Sequence, residues 1–350
     1  MIFRQLFESV SSTYTYLIGS RPGGEALIID PVIDKLDHYL RLLHELDLRL
    51  VKAVDTHVHA DHISALGALR DRTKCVTVMG RQSGVDLVGM RIEDGDRIEI
   101  EDIAIDVLYT PGHTDDSYCL RMADRVFTGD TLLIRGTGRT DFQNGDARAA
   151  YDSLFTKLLT LPDETLVYPG HDYKGDTVST IGEERRFNPR LQVKSAAEYV
   201  ALMAGLHLPN PKQMDVAVPA NLHLGLKSND AAIIAHSLSA ADAIAALGRG
   251  DVLFVDLREQ AERHRHGVIP GSIHAPYQRL AQDLKPAGLL RSLAMRSQGR
   301  LVLYCAFGER SALALRTMQE AGLGHAYHLA GGLDAWVKAG GVIERDNDDA

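Results

Sequence analysis

THVHADH, residues 56–62, sets three imidazoles and a carboxylate into the six positions from His57 to His62. It follows the apolar, β-favouring run LVKAVD (50–55), so the four side chains fall just past the end of a buried strand, where an α/β sheet presents functional groups. Three further motifs come later: PGHT with His113, TGDT with Asp130 and YPGHDY with His171. Each again stands where an apolar run gives way to a turn. Imidazole nitrogen and carboxylate oxygen suit first-row divalent metals. A capping box with incidental histidines would leave His113, Asp130 and His171 without a purpose, so the chain reads as a metal enzyme.

The 350 residues exceed the size at which one hydrophobic core stops growing, which predicts two domains. Strand runs alternate with turns in YTYLIG (14–19), EALIIDPV (25–32), KCVTVMG (74–80), RIEI (97–100), IAIDVLYT (103–110) and RVFTGDTLLI (125–134). Helical spacing appears in DKLDHYLRLLHELDL (34–48) and ARAAYDSLFTKLLTL (147–161). A helix is expected in AAEYVALMAGL (196–206). It is followed by a linker or wrap over about 205–236, in which Pro209, Pro211 and Pro219 should bar long regular elements. A second α/β pattern starts near 237: helix 239–250, strand 251–258, loop 266–277, strand 300–305 and helix 311–322. Strands alternating with helices predict a mostly parallel, doubly wound sheet.

A formal net charge of -9 and a pI near 5.9 argue against nucleic acid as a partner. The N-terminus lacks the pattern of a secretory signal, and no run of about 18 apolar residues would span a membrane. A cytoplasmic location is the resulting expectation. Cys75, Cys119 and Cys305 are too few and too scattered for a disulfide framework. Cys75 and Cys119 sit in strand-like runs as small buried hydrophobes.

THVHADH, PGHT, TGDT and PGHDY, in this order, resemble the metallo-β-lactamase superfold over residues 1 to about 228. That resemblance implies an αβ/βα sandwich with metal at the sheet edge, and does not fix the reaction. LIRGTGRTDFQNGD (133–146) and YPGHDYKGDTVSTIGEERRFNPRL (168–191) are similar to the persulfide dioxygenases, relatives of the thioesterase glyoxalase II. By that resemblance one Fe(II) per chain is held by His57, His113 and Asp130, while His59, Asp61, His62 and His171 support or line the site. Two imidazoles and one carboxylate on one face leave about three positions open, room for glutathione persulfide and O2, with sulfite and glutathione as products. Asp172 is expected to orient a ligand imidazole, Tyr173 to donate to a bound substrate atom, and Arg139 to pair with Asp141 or contact the glutathione tail. The alternative is a binuclear zinc hydrolase of glyoxalase II type, with Asp61, His62 and His171 holding a second metal. Against it stands Val58, where that hydrolase shows another histidine.

Cys305 closes the apolar strand RLVLY and opens AFGER before a helical run. Converging backbone N–H groups and a helix N-terminus favour a thiolate there. DLRE (256–259), HGVIPGSIHAPY (266–277), YCAFGERS (304–311) and LAGGLDAW (329–336) together resemble a rhodanese domain over 237–350. The resemblance implies that Cys305 carries a sulfane sulfur. Ala306, Phe307, Gly308 and Glu309 would form the loop around the substrate, and Arg310 would steady an anionic donor such as thiosulfate. Asp256 and Arg258 are expected to brace that loop. A dioxygenase fused to a sulfurtransferase would tether the steps that make and consume a labile persulfide, with thiosulfate or sulfite at the far end. The direction of transfer stays open, as does the oligomeric state, a homodimer included. A non-catalytic persulfide carrier with a merely structural metal is the third reading.

Overall fold

The alternating runs of the first part fold into two six-stranded sheets. In this computed structural model residues 1–85, 88–206, 208, 214–224, 231–249, 252–296 and 300–345 are described. The first sheet runs, in spatial order, Ile2–Glu8, Thr13–Gly19, Glu25–Ile29, Arg49–Val54, Val76–Gly80 and Met90–Ile92. The second runs Ser179–Thr180, Leu166–Pro169, Arg125–Gly129, Tyr118–Arg121, Ile103–Tyr109 and Arg97–Ile100. Every residue of Thr13–Gly19 is buried, because one face meets the second sheet and the other is covered. Tyr16 shows how the sheets join: its ring lies 4.9 Å from that of Phe127 and 5.6 Å from that of Tyr168, and its hydroxyl donates to Pro169 O at 2.6 Å.

Helices cover the outer faces. Leu36–Glu45 buries Tyr39 and Leu43, one turn apart, and sets the Tyr39 hydroxyl 2.9 Å from Thr15 Oγ1. Ala147–Thr156, capped by Asp146 accepting from Ala149 N, packs with Ala196–Ala204 over the second sheet. Leu154, Tyr199, Cys119, Val126 and Val167 form that core. The result is the αβ/βα sandwich. The strand Ile2–Glu8, which the sequence reading did not list, pairs along its whole length with Thr13–Gly19.

The second parallel core is a five-stranded sheet in the order Ser237–Leu238, Ala326–Leu329, Arg300–Tyr304, Val252–Asp256, Ile273–His274. Helices flank it in the doubly wound manner. Phe254, Val302, Leu329 and Trp336 fill one side. The chain divides into two compact units at Leu224 and Gly225. The expected boundary at 228 lies outside the described residues, as do Pro209 and Pro211. Pro219 corrects the linker expectation, since it lies inside a nine-residue helix, Met214–Leu222. As its sixth residue Pro219 lacks the N–H that would bond the Asp215 carbonyl, so the helix forgoes one backbone bond there.

Candidate metal centre and sulfur-transfer loop

Four strand ends of the two sheets deliver the site: Arg49–Val54 leads to His57, Ile103–Tyr109 to His113, Arg125–Gly129 to Asp130 and Leu166–Pro169 to His171. Hydrogen-bond direction fixes the two imidazoles. Asp30 accepts from Thr56 N at 2.7 Å and from the Thr56 hydroxyl at 3.0 Å. With its one hydrogen so engaged, Thr56 Oγ1 accepts from His57 Nδ1 at 3.0 Å. His113 Nδ1 lies 2.8 Å from the carbonyl oxygen of Arg139, which can only accept. Both rings therefore carry hydrogen on Nδ1 and keep a lone pair on Nε2. Burial, with His59 and His113 nearby, holds His57 well below its ordinary pKa, so it is a neutral ligand-type imidazole.

One ligand atom each from His57, His113 and Asp130 lies within 4.8 Å of the others. Two imidazoles and a carboxylate at this spacing fit a divalent first-row metal. Burial alone would raise Asp130, but His171 beside it, with His113 and His57, holds the carboxyl well below the usual range. His171 is set between two carboxylates, Nδ1 2.6 Å from Asp130 Oδ1 and Nε2 2.8 Å from Asp61 Oδ2. Against the cost of burial, Asp130 and Asp61 raise its pKa well above normal.

The remaining residues of the motif look inward. His59 Nε2 meets Asp30 Oδ1 at 3.2 Å; burial opposes protonation there, and Asp30 outweighs it, raising His59 to about 9. His62 Nδ1 meets Asp61 Oδ2 at 3.0 Å and Thr13 Oγ1 at 3.3 Å. The histidine groups able to gather around a metal are His57–His113–Asp130, His59–Asp61–His62 and Asp30–Asp55–His59; among the described residues Asp61, His62 and His171 do not form one.

Several supports escaped the sequence reading. Asp116 Oδ2 accepts from Val58 N at 2.9 Å. Asn221, from the helix placed in the supposed linker, donates to His59 O and His62 O and accepts from Ser64 N, each at 2.9 Å. Gly138 permits a close approach: a Cβ there would stand 2.2 Å from Asp130 O and 2.8 Å from the His113 ring. Only the run GTG hinted at that packing; nothing local to Asn221 did.

The three atoms open onto a cavity of about 280 Å³ lined by Leu133, Ile134, Phe142, Tyr173, Lys174 and Arg190 among others. Tyr173 is 72% exposed at its rim, its ring parallel to His171 at 6.1 Å. Arg139 pairs with Asp141 through two bonds of 2.6 and 2.7 Å and lies over Phe142; its carbonyl, rather than its guanidinium, orients His113. Asp172 is a correction. Its Oδ2 accepts from the backbone of Lys174, Gly175 and Asp176, so it caps a turn, while Thr56 and the Arg139 carbonyl orient the imidazoles. Arg190, which sequence reasoning missed, faces the cavity half-buried, bonded to Thr137, with no carboxylate in ion-pair reach among the described residues. Burial lowers its pKa.

In the second unit Cys305 follows Arg300–Tyr304, and Gly308, at φ +96, turns its N–H onto Sγ at 3.1 Å before the helix Glu309–Glu320 begins. Leu333 N and Asp334 N hold the carbonyls of Cys305 and Ala306 at 2.8 and 3.1 Å. Ala306 and Phe307 are partly exposed, whereas Cys305, Gly308 and Glu309 are buried. Arg310 is buried and gives Nη1 and Nη2 to Glu262 at 2.7 and 2.6 Å. That pair braces the loop, while Arg310 Nε is buried beside it with no hydrogen-bond partner among the described residues and is left as a donor for an anion. Arg258 braces the loop further back, bidentate on Asp256 at 2.9 and 2.6 Å.

Sandwich, sheet-edge histidines and cysteine loop define a metallo-β-lactamase-type unit joined to a rhodanese-like one. The Metallo-beta-lactamase superfamily matches residues 9–89 and 84–171, and the Rhodanese-like domain matches 239–339. A metallo-beta-lactamase of Staphylococcus aureus shares the fold across 95% of this chain and 98% of its own, at TM-score 0.61 and 22% identity. The human persulfide dioxygenase ETHE1, a mitochondrial protein, is 48% identical over 231 residues, covering 65% of this chain and 90% of its own. The crystal structure of ETHE1 from Myxococcus xanthus is 55% identical, covers 65% of this chain and 100% of its own, and superposes with TM-score 0.63. The chain belongs to the persulfide dioxygenase family, with a rhodanese-like domain following.

Proposed function

We propose that the first unit oxidises glutathione persulfide with O2 to sulfite and glutathione, using one Fe(II) held by His57, His113 and Asp130. The second unit, on this reading, passes sulfane sulfur between thiosulfate and glutathione through Cys305. The observation that carries the first half is the trio of ligand atoms within 4.8 Å; Asp61 and His62 group with His59 instead, and His171 is bonded to Asp61, Asp130 and Thr13. Bound on one side only, Fe(II) would supply adjacent open positions at which a sulfur anion and O2 meet.

The chain's own residues do the rest. Thr56 and the Arg139 carbonyl hold the two rings so that Nε2 faces the ligand position. Arg190 and Lys174 present cations suited to the carboxylates of a glutathione tail, and Leu133, Ile134 and Phe142 give the cavity an apolar wall. Tyr173 at the rim is placed to donate to the incoming sulfur compound. For the second half, the Gly308 N–H on Cys305 Sγ supports a charged sulfur.

Metal analysis with persulfide-dependent oxygen uptake tests the first half. One iron per chain and uptake that Asp130→Ala abolishes is the expected result; two zincs with hydrolysis of a glutathione thioester would replace it. For the second half, Cys305→Ser should fold and lose transfer from thiosulfate to glutathione, because an alcohol cannot form the persulfide at neutral pH.

A further inference from the structure

Behind Cys305 runs a line of buried polar contacts that sulfur carriage alone does not use. Cys305 Sγ is 3.8 Å from Ser311 Oγ, Ser311 Oγ is 3.4 Å from His328 Nδ1, and His328 Nε2 is 2.8 Å from Ser237 Oγ. Ser311 is 0% and His328 6% exposed, so no solvent competes.

Counting hydrogens gives the line a direction. Ser237 gives its single hydroxyl hydrogen to Ile233 O at 2.8 Å, so toward His328 it accepts, and His328 carries its proton on Nε2. Nδ1 is then a lone pair aimed at Ser311. Burial takes the His328 pKa down to about 4, which keeps the ring neutral. Ser311 also has one hydrogen, with Gly308 O at 3.0 Å, His328 Nδ1 and Cys305 Sγ as its acceptors. A neutral thiol donates to Ser311 Oγ, leaving that hydrogen on His328 or Gly308. A charged sulfur is the strongest acceptor of the three and draws the hydroxyl to itself.

We propose that Ser311 is a catalytic residue of sulfur transfer, donating its hydroxyl hydrogen to Cys305 Sγ whenever that sulfur is charged. His328, fixed by Ser237, is the positioning residue that keeps this hydroxyl in reach. The proposal rests on Cys305 as the sulfur carrier. In loading, the Cys305 thiolate attacks the outer sulfur of thiosulfate, a new S–S bond forms, and sulfite leaves with the electron pair of the old one. A proton from solvent gives Cys305–Sγ–SH. In discharge, glutathione thiolate attacks the outer sulfur, the Sγ–S bond breaks, and its electron pair returns to Sγ while glutathione persulfide departs. Gly308 N–H and Ser311 O–H both meet that returning charge.

Arg310, Asp334 and Asp256 about the loop are held in pairs the test leaves in place. Glu309 and Arg310 come from the helix of Ser311, with Arg310 held by Glu262 of Gln260–His266. Asp334, from Gly332–Lys338, pairs with Lys338 at 2.8 Å, and Asp256, behind Tyr304, pairs with Arg258.

The test is the pH profile of Cys305 alkylation by iodoacetamide in the full-length protein, read on the Cys305 peptide, together with single-turnover discharge of the preloaded persulfide to glutathione. Ser311→Ala should move the profile about one pH unit upward and slow discharge about tenfold, the range for a hydrogen bond to a charged group. Ser311→Thr should restore both. His328→Gln should shift the profile the same way by less, and should add nothing to Ser311→Ala, because it acts only through that hydroxyl. A wild-type profile and discharge in folded Ser311→Ala, or further slowing by His328→Gln in the Ser311→Ala background, overturns the proposal. Transfer surviving in Cys305→Ser overturns the carrier reading beneath it; transfer lost there while Ser311→Ala is unaffected overturns Ser311 alone.

Discussion

Replacing Asn221 by alanine should loosen the metal loop more than any change outside the ligands. The side chain is 2% exposed and makes three bonds of 2.9 Å, to His59 O, His62 O and Ser64 N. Alanine leaves two carbonyls and one N–H buried without a partner. Each such bond contributes about 1–1.5 kcal/mol net, and three give a destabilisation of about 3–5 kcal/mol. A domain's whole stability is only about 5–15 kcal/mol, so the first unit should unfold in visibly less urea. Asn221→Asp should be at least as damaging, since it keeps the acceptor for Ser64 N but turns an oxygen on two carbonyl oxygens. Trp336 is the chain's single tryptophan and lies in the second unit, so its fluorescence gives an internal control. Hydrogen exchange of residues 56–64 and iron retained after desalting report on the first. A loss under about 1 kcal/mol with normal exchange and full iron would refute the idea that this helix pins the loop.

Gly138→Ala should fold yet lose metal, because its Cβ would have to displace the His113 ring or the Asp130 carbonyl, 2.8 and 2.2 Å away; iron content and visible spectra check this. Arg190→Met should raise KM for glutathione persulfide about tenfold with iron per chain unchanged, since the guanidinium lines the cavity without touching the ligands. In the second unit, burial pushes Glu262 up but Arg310 more than offsets it, leaving its pKa below the ordinary 4.5. A depressed carboxyl pKa stabilises above the unfolded value and loses that contribution as pH falls through the folded one. Glu262→Gln should therefore flatten the acid limb of the Trp336 unfolding curve below about pH 4.5, and at neutral pH cost about 3–5 kcal/mol by stranding buried Arg310.

How much of this was legible in the chain depends on whether the signal was local. His57, His113 and Asp130 each follow an apolar strand run, so position and residue type sufficed to mark them, and the two sheets then brought all three together. The same holds for Cys305, which a strand-to-helix turn betrays. What failed was any role requiring knowledge of where a side chain points. Asp172, two residues from a turn of glycine and lysine, looks like an orienting partner for a ligand imidazole but caps its own backbone instead, the shorter-range choice open to any aspartate in such a sequence. Nor did anything local announce that Glu262, 48 positions away, would take both terminal nitrogens of Arg310 and leave only its Nε unpartnered among the described residues.

Asn221 makes the point most sharply. It is 162 residues from His59 in the chain, in a stretch whose prolines advertise a linker, and its amide is the commonest kind of surface group. Its importance comes from the pair of carbonyls that the THVHADH loop must leave unpaired when it departs from the strand. A loop that commits four ligand-type side chains to the site and its supports cannot also pair its own backbone in a ladder, so something distant has to accept or donate in its place. Asn221 answers those carbonyls, Asp116 the Val58 N–H and Asp30 the Thr56 N–H. The loop's chemistry is written in its own residues, while its rigidity is supplied by three side chains from elsewhere. Changes at those three positions should accordingly scatter the ligand geometry before they touch any reacting atom.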